Sequence, residues 1–250
     1  MTATLAAVRA ETTKLVGLRS AYVPLVLFTL VSVLISGLAG FSARNALDSD
    51  SPMLRSDFTP EQAGFDGILY GQLALIVFAV IAVSAEYGSG MMQVSSLAVP
   101  CRGRQYAVKV LVTTGAALLL AVPSVPIAYL VTQAALGPYG VGLDKNGVLQ
   151  AMGGGVVYVT LMSAFATGIA FVARSAVVPL AVLLPMILAG TQILSLIGVT
   201  EDLVDYFPDR AGTELLTVAS DQAGTGLLVL LCWTAAALVL GYVRHVRWDG

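Results

Sequence analysis

The chain has 250 residues, 57% of them hydrophobic and only 11% charged, with a formal net charge of −2 and a mean hydropathy of +0.86. Soluble domains carry roughly 25% charged residues, so this composition excludes an ordinary soluble domain and predicts an all-α membrane protein. Two cysteines, Cys101 and Cys232, and a single histidine, His245, provide neither a disulfide framework nor a ligand cluster for a structural or catalytic metal.

In chain order, the first twenty residues place Leu5, Val8 and Leu15 on one helical face, with Glu11 and Arg19 intruding on it. This pattern predicts an N-terminal interfacial helix. A bilayer core ~30 Å thick needs ~20 apolar residues in a helix, and six stretches meet that requirement. They lie near residues 21–41, 68–85, 110–136, 151–172, 176–199 and 225–243, and none contains a charged residue. The first is too long and starts too late for a signal peptide. Prolines interrupt the third (Pro123, Pro126) and the fifth (Pro179, Pro185). Membrane helices tolerate such residues because neighbouring groups satisfy the freed carbonyls. The whole chain, 1–250, reads as one transmembrane domain without a nucleotide-binding domain.

Loop charge gives an orientation. The N-terminus, residues 86–109, Arg174 and the C-terminal tail hold nine bases against Glu11, Glu86 and Asp249. The opposite loops, 42–67, 137–150 and 200–224, hold four bases (Arg44, Arg55, Lys145, Arg210) against twelve acids. Because lysine and arginine stay on the cytoplasmic side, both termini are expected inside a plasma membrane that the chain crosses several times. The outer loop at 42–67 reads as an exposed connection. Segment 200–224 mixes Leu203, Val204, Phe207, Leu215 and Leu216 with its acids, which predicts short outer surface helices before the sixth span.

The longest inner loop carries the most information. It opens with Glu86 where the second span ends. A short helix is expected after Gly88 with Ser89 as its cap, placing Met91, Val94 and Ala98 on one face and Gln93 and Ser96 on the other, with Pro100 as its stop. Arg102, Arg104 and Lys109 follow. So short a helix needs a lipid surface or a partner protein against its apolar side.

The run Glu86-x-x-x-Gly90, then Pro100-x-Arg102-Gly103-Arg104 and Lys109, resembles the signature of ABC-2-type transporter permeases, and most closely the bacitracin- and lantibiotic-resistance exporters common in actinobacteria. Glu11-x-x-Lys14 with Arg19-Ser20 is similar to that family's entry into the first span. Tyr206-Phe207-Pro208-x-x-Ala211-Gly212 is similar to its outer segment before the last span. Met91 and Cys101 depart from the pattern: threonine is usual at the first, a basic or small residue at the second. The resemblance implies an efflux half-transporter that pairs with a second copy or a paralogous permease and receives a separate ABC ATPase. Glu86, Gly90, Met91, Val94, Arg102 and Arg104 are the coupling residues it implies. ATP and magnesium would belong to the ATPase, leaving no cofactor in this chain. Independently of the resemblance, the chain has no Gly-x-x-x-x-Gly-Lys-Ser/Thr phosphate loop.

Each of these residues also has a plainer reading. Arg102, Arg104 and Lys109 serve equally as topology-setting charges against lipid headgroups. Glu86 could pair with Arg102 or Arg104, or cap the short helix. Gly153-Gly154-Gly155 and Ala164-x-x-x-Gly168 have the spacing of close helix packing. Gln72, Gln133, Thr160, Thr167 and Gln192 are candidates for a substrate path, and interhelical hydrogen bonding is the alternative for each. A proton- or sodium-coupled transporter normally needs an ionisable group within the spans, and none is present. A serine protease needs a base beside its nucleophile, and His245 lies in the tail. A scaffold or sensor subunit without transport stays open. The spans suit a lipid, peptide or drug-like amphiphile as cargo and membrane lipids as neighbours, with nothing that suggests nucleic acid.

Overall fold

The computed structural model describes residues 3–49, 58–93, 101–145, 147–190 and 204–247, and among these all regular structure is helical. The described residues form nine α-helices in order: α1 (Ala3–Gly17), α2 (Arg19–Asp48), α3 (Pro60–Ala63), α4 (Asp66–Gly88), α5 (Arg102–Leu136), α6 (Val148–Ala173), α7 (Val177–Pro185), α8 (Pro208–Thr213) and α9 (Ala223–Val246). Among the described residues five helical stretches are long and apolar enough to cross a membrane: Ser20–Asp48, Pro60–Gly88, Arg102–Tyr139, Val148–Ala173 and Ala223–Val246. The chain is thus a multi-pass helical membrane protein by length and composition. Of the fifth expected span, α7 and a π-turn at Met186–Gly190 are described, and 191–203 lie outside the described residues.

The helices overrun the apolar stretches that predicted them. The 35 residues of α5 extend about 52 Å at 1.5 Å per residue, well beyond a ~30 Å hydrocarbon layer. Its first turns, Arg102 to Lys109, therefore lie beyond the apolar stretch that begins near residue 110. Pro123 and Pro126 sit inside this one continuous helix rather than dividing it.

Small residues decide how closely the helices approach. A Cβ at Gly71 of α4 would collide with Ser32 Oγ of α2, and one at Gly67 with Ser36 of the same helix. On the other side of α6, a Cβ at Gly168 would lie 2.6 Å from the carbonyl carbon of Ala237 in α9. The Ala164-x-x-x-Gly168 spacing thus does mark a close approach. In the triple glycine, Gly154 abuts the Leu215 carbonyl, Gly155 touches Val125, and Gly153 faces open space.

Both ends of the bundle are tied across sequence-distant segments. At the acidic end, Gln62 Nε2 donates to Leu216 O (3.3 Å), Val218 N donates to Gln62 Oε1 (3.0 Å), and the Tyr139 hydroxyl donates to Asp48 (3.0 Å). At the basic end, Arg102 Nη1 donates to Val246 O (3.1 Å) and Arg174 Nη2 to Arg244 O (2.6 Å). The segments grouped by charge in the sequence are thus also grouped in space.

Candidate functional site

The most unusual chemistry lies at the basic end. Glu11 and Lys14 of α1 meet Glu86 at the end of α4 and Lys109 near the start of α5. Lys109 Nζ lies 2.5 Å from Glu86 Oε1 and 2.9 Å from Glu11 Oε2. Lys14 Nζ lies 2.6 Å from Glu11 Oε1 and 3.4 Å from Glu86 Oε1. Lys109 is 5% exposed, and Glu11 and Glu86 are each 7% exposed. Two acids and two bases cancel, which offsets the desolvation penalty that any one of them would bear alone.

Burial by itself pushes the Glu11 carboxyl upward, but Lys109 and Lys14 outweigh it and hold the group below its ordinary value. Burial likewise pulls Lys14 down, while its hydrogen bond to Glu11 and the charge of Glu86 raise it above its ordinary value. Both shifts favour the ionised cluster.

This geometry corrects three expectations. The partner of Glu86 is Lys109, assisted by Lys14, rather than Arg102 or Arg104. Arg102 instead bonds the end of α9, and Arg104 is exposed. On α1 Ala7 and Glu11 are buried, Val8 is half-buried and Leu15 packs against the core, but Leu5 is turned outward, so the inward face differs from the expected one in carrying Glu11 at its centre in place of Leu5. Ser89 closes α4 instead of opening the next helix: its hydroxyl donates to Ala85 O (2.7 Å), and its amide also bonds back to Ala85 O.

Beyond Ser89 the chain turns at Gly90, whose φ of 71° suits a residue without a side chain, and begins a helical turn at Met91–Gln93. Met91 is exposed. Met92, which the sequence reading passed over, is 1% exposed and accepts a contact from Gln105 Nε2 at 3.3 Å. It anchors the turn against α5 and leaves Met91 presented outward. Val94, with the rest of the expected short helix to Pro100, lies outside the described residues. A cavity of about 310 Å³ beside the cluster is lined by Leu15, Leu18, Ala82, Met91, Glu86 and Lys109, among others.

The described candidate path residues make different contacts. Gln133 Nε2 donates to Pro60 O (2.8 Å) and its Oε1 accepts from Val141 N (2.9 Å), so it staples α5 to the loops of the acidic end. Thr160 and Thr167 bond back within α6, to Val156 O (2.7 Å) and Ser163 O (2.8 Å). Gln72 lines a cavity of about 520 Å³ at the acidic end, which it shares with Tyr70, Tyr158 and Asp209. Gln192 lies outside the described residues. The signal that could have found the charge cluster was present: Glu11 and Glu86 are two of only three acids on a side with nine bases.

Compared with protein-family models and with curated proteins, the chain matches none. Among the described residues no group of three or more histidine, cysteine or acidic side chains could hold a metal.

Proposed function

We propose that this chain is the permease subunit of an ATP-driven exporter of ABC-2 type, working with a separate ATPase and a second permease, identical or paralogous. One observation carries the reading. Glu11-x-x-Lys14, Glu86 and Lys109, residues of two separately recognised motif pieces, meet in one buried ionic cluster. That cluster clamps both roots of the loop that follows Glu86 onto the N-terminal helix. A force applied to the loop is thereby passed to spans one, two and three together, as an energy-coupling segment requires. The proposed cycle is mechanical. The ATPase moves the loop, the clamped roots move α2, α4 and α5, and an amphiphilic cargo passes outward.

Six crossings with both termini in the cytoplasm fit the same reading. Arg174 is tied to the basic end and Leu216 to the acidic end, which supports that reading. The plasma membrane is the proposed location. This chain would contribute no catalytic group and hold no ATP or magnesium itself.

The test uses the exposed residue of the loop turn. Met91→Asp, alone and with Val94→Asp, should leave membrane insertion intact and abolish copurification of the proposed ATPase subunit. Gln93→Asp should copurify it at the normal yield. Unchanged copurification with Met91→Asp and Val94→Asp together would reject the coupling role.

A further inference from the structure

We propose that the basic end carries a built site for the phosphate of an anionic phospholipid, in the groove between the α6–α7 turn and the end of α9. The groove has a volume of about 290 Å³ and is lined by Val172, Arg174, Leu240, Val243, Arg244 and Arg247. Three guanidinium groups thus share it with three aliphatic side chains, and among the described residues no carboxylate is in its walls. Arg244 and Arg247 have no ion-pair partner among the described residues.

The arginines are held rather than merely present. Arg244 Nε donates to Val172 O at 3.2 Å, which fixes the guanidinium plane and directs its terminal nitrogens elsewhere. Arg174 returns the tie by donating from Nη2 to Arg244 O. Its own backbone lies in the left-handed region, φ 56° and ψ 21°, where glycine is the favoured residue at a helix end. An arginine kept in that conformation, when glycine would relieve it, points to a use for its side chain.

A planar, delocalised guanidinium matches phosphate oxygens in pairs. Arginine pockets between helices at one face of a membrane bind anionic headgroups. The occupant is a lipid rather than a soluble phosphate because α9 is a membrane span and Leu240, Val243 and Val172 provide a surface for the glycerol and first methylenes. A zwitterionic lipid fits less well: its trimethylammonium would be carried toward three positive charges. The inference needs only a membrane-spanning chain, so it stands or falls separately from the ATPase reading.

The experiment is native mass spectrometry of the full chain released from nanodiscs containing equal mole fractions of phosphatidylglycerol and phosphatidylcholine. The wild-type chain should retain phosphatidylglycerol in preference by about 30- to 150-fold, the scale expected for two or three arginines at a headgroup. Arg244→Ala with Arg247→Ala should bring the two lipids level. Arg174→Gly keeps the backbone favourable while removing the guanidinium, so it should lower the preference without loss of folded protein. Arg104→Ala, an exposed arginine that does not line the groove, should leave the preference intact. Equal retention by the wild-type chain, or a preference untouched by the double variant, overturns the site. In detergent, phosphatidylglycerol should raise the thermal midpoint and inorganic phosphate should not. An equal rise with inorganic phosphate would reject the lipid assignment.

Discussion

Lys109→Met is the sharpest probe of the buried cluster. Lys109 makes its two contacts at 2.5 and 2.9 Å, and methionine fills a similar volume without the charge. Glu11 and Glu86 would then face each other with only Lys14, whose side chain is 29% exposed. Leaving a buried charge without its partner costs ~3–5 kcal/mol. The upper end is not reached, because one carboxyl can take up a proton instead. From an ordinary value of 4.5, protonation at pH 7 costs about 3 kcal/mol at 1.36 kcal/mol per pH unit. At pH 5 the same escape costs less than about 1 kcal/mol. The sign follows: Glu11 is held below its ordinary value, so the stability it adds is present above 4.5 and is lost as pH falls through the lowered value. Thermal unfolding of the purified chain in detergent should therefore show Lys109→Met lowering the midpoint by about 6–12 °C at pH 7 and about 1–2 °C at pH 5. Adding Glu86→Gln restores neutrality with the Glu11–Lys14 pair left in place, and should recover most of the loss. A midpoint at pH 7 within about 2 °C of wild type, or a loss independent of pH, would refute the reasoning.

Helix contact can be tested at Gly168, where an added carbon meets the backbone of α9 2.6 Å away. Gly168→Ala should destabilise by about 1–3 kcal/mol, whereas Gly153→Ala, where nothing lies within 4 Å, should be neutral or stabilise by up to ~1 kcal/mol through helix propensity. Equal midpoints for the two variants would reject the α6–α9 contact. Orientation is checked by single cysteines in a background lacking the exposed Cys101 and Cys232. Exposed sites at Gly142 and Asp221 should react with an impermeant thiol reagent on intact cells, and one at exposed Arg104 should not. Labelling at Arg104 would overturn the proposed topology.

Composition and run length alone were enough to determine that the chain is a helical membrane protein, because ~20 uncharged apolar residues have few other stable environments. They also placed five long helices to within a few residues of their apolar cores. The charge count sorted the loops into two groups, and the tertiary structure finds those groups at opposite ends. What periodicity could not supply was pairing. On its own helix Glu11 looks like a flaw in an apolar face, and only the approach of α4 and α5 turns it into a partner for Lys109. Helix overrun was hidden for a related reason: a hydropathy window ends where charge begins, while backbone hydrogen bonding carries α5 back to Arg102. Ser89 reads locally as the start of a helix, yet its hydroxyl bonds backward because α4 continues to Gly88. Met92 and Met91 are chemically identical neighbours, and only packing against Gln105 decides which is buried. Three arginines scattered from 174 to 247 become one groove because Gly168 lets α6 and α9 approach until their ends meet. Local sequence determines which segments are helical and apolar, but contact between distant helices decides which charges are paired.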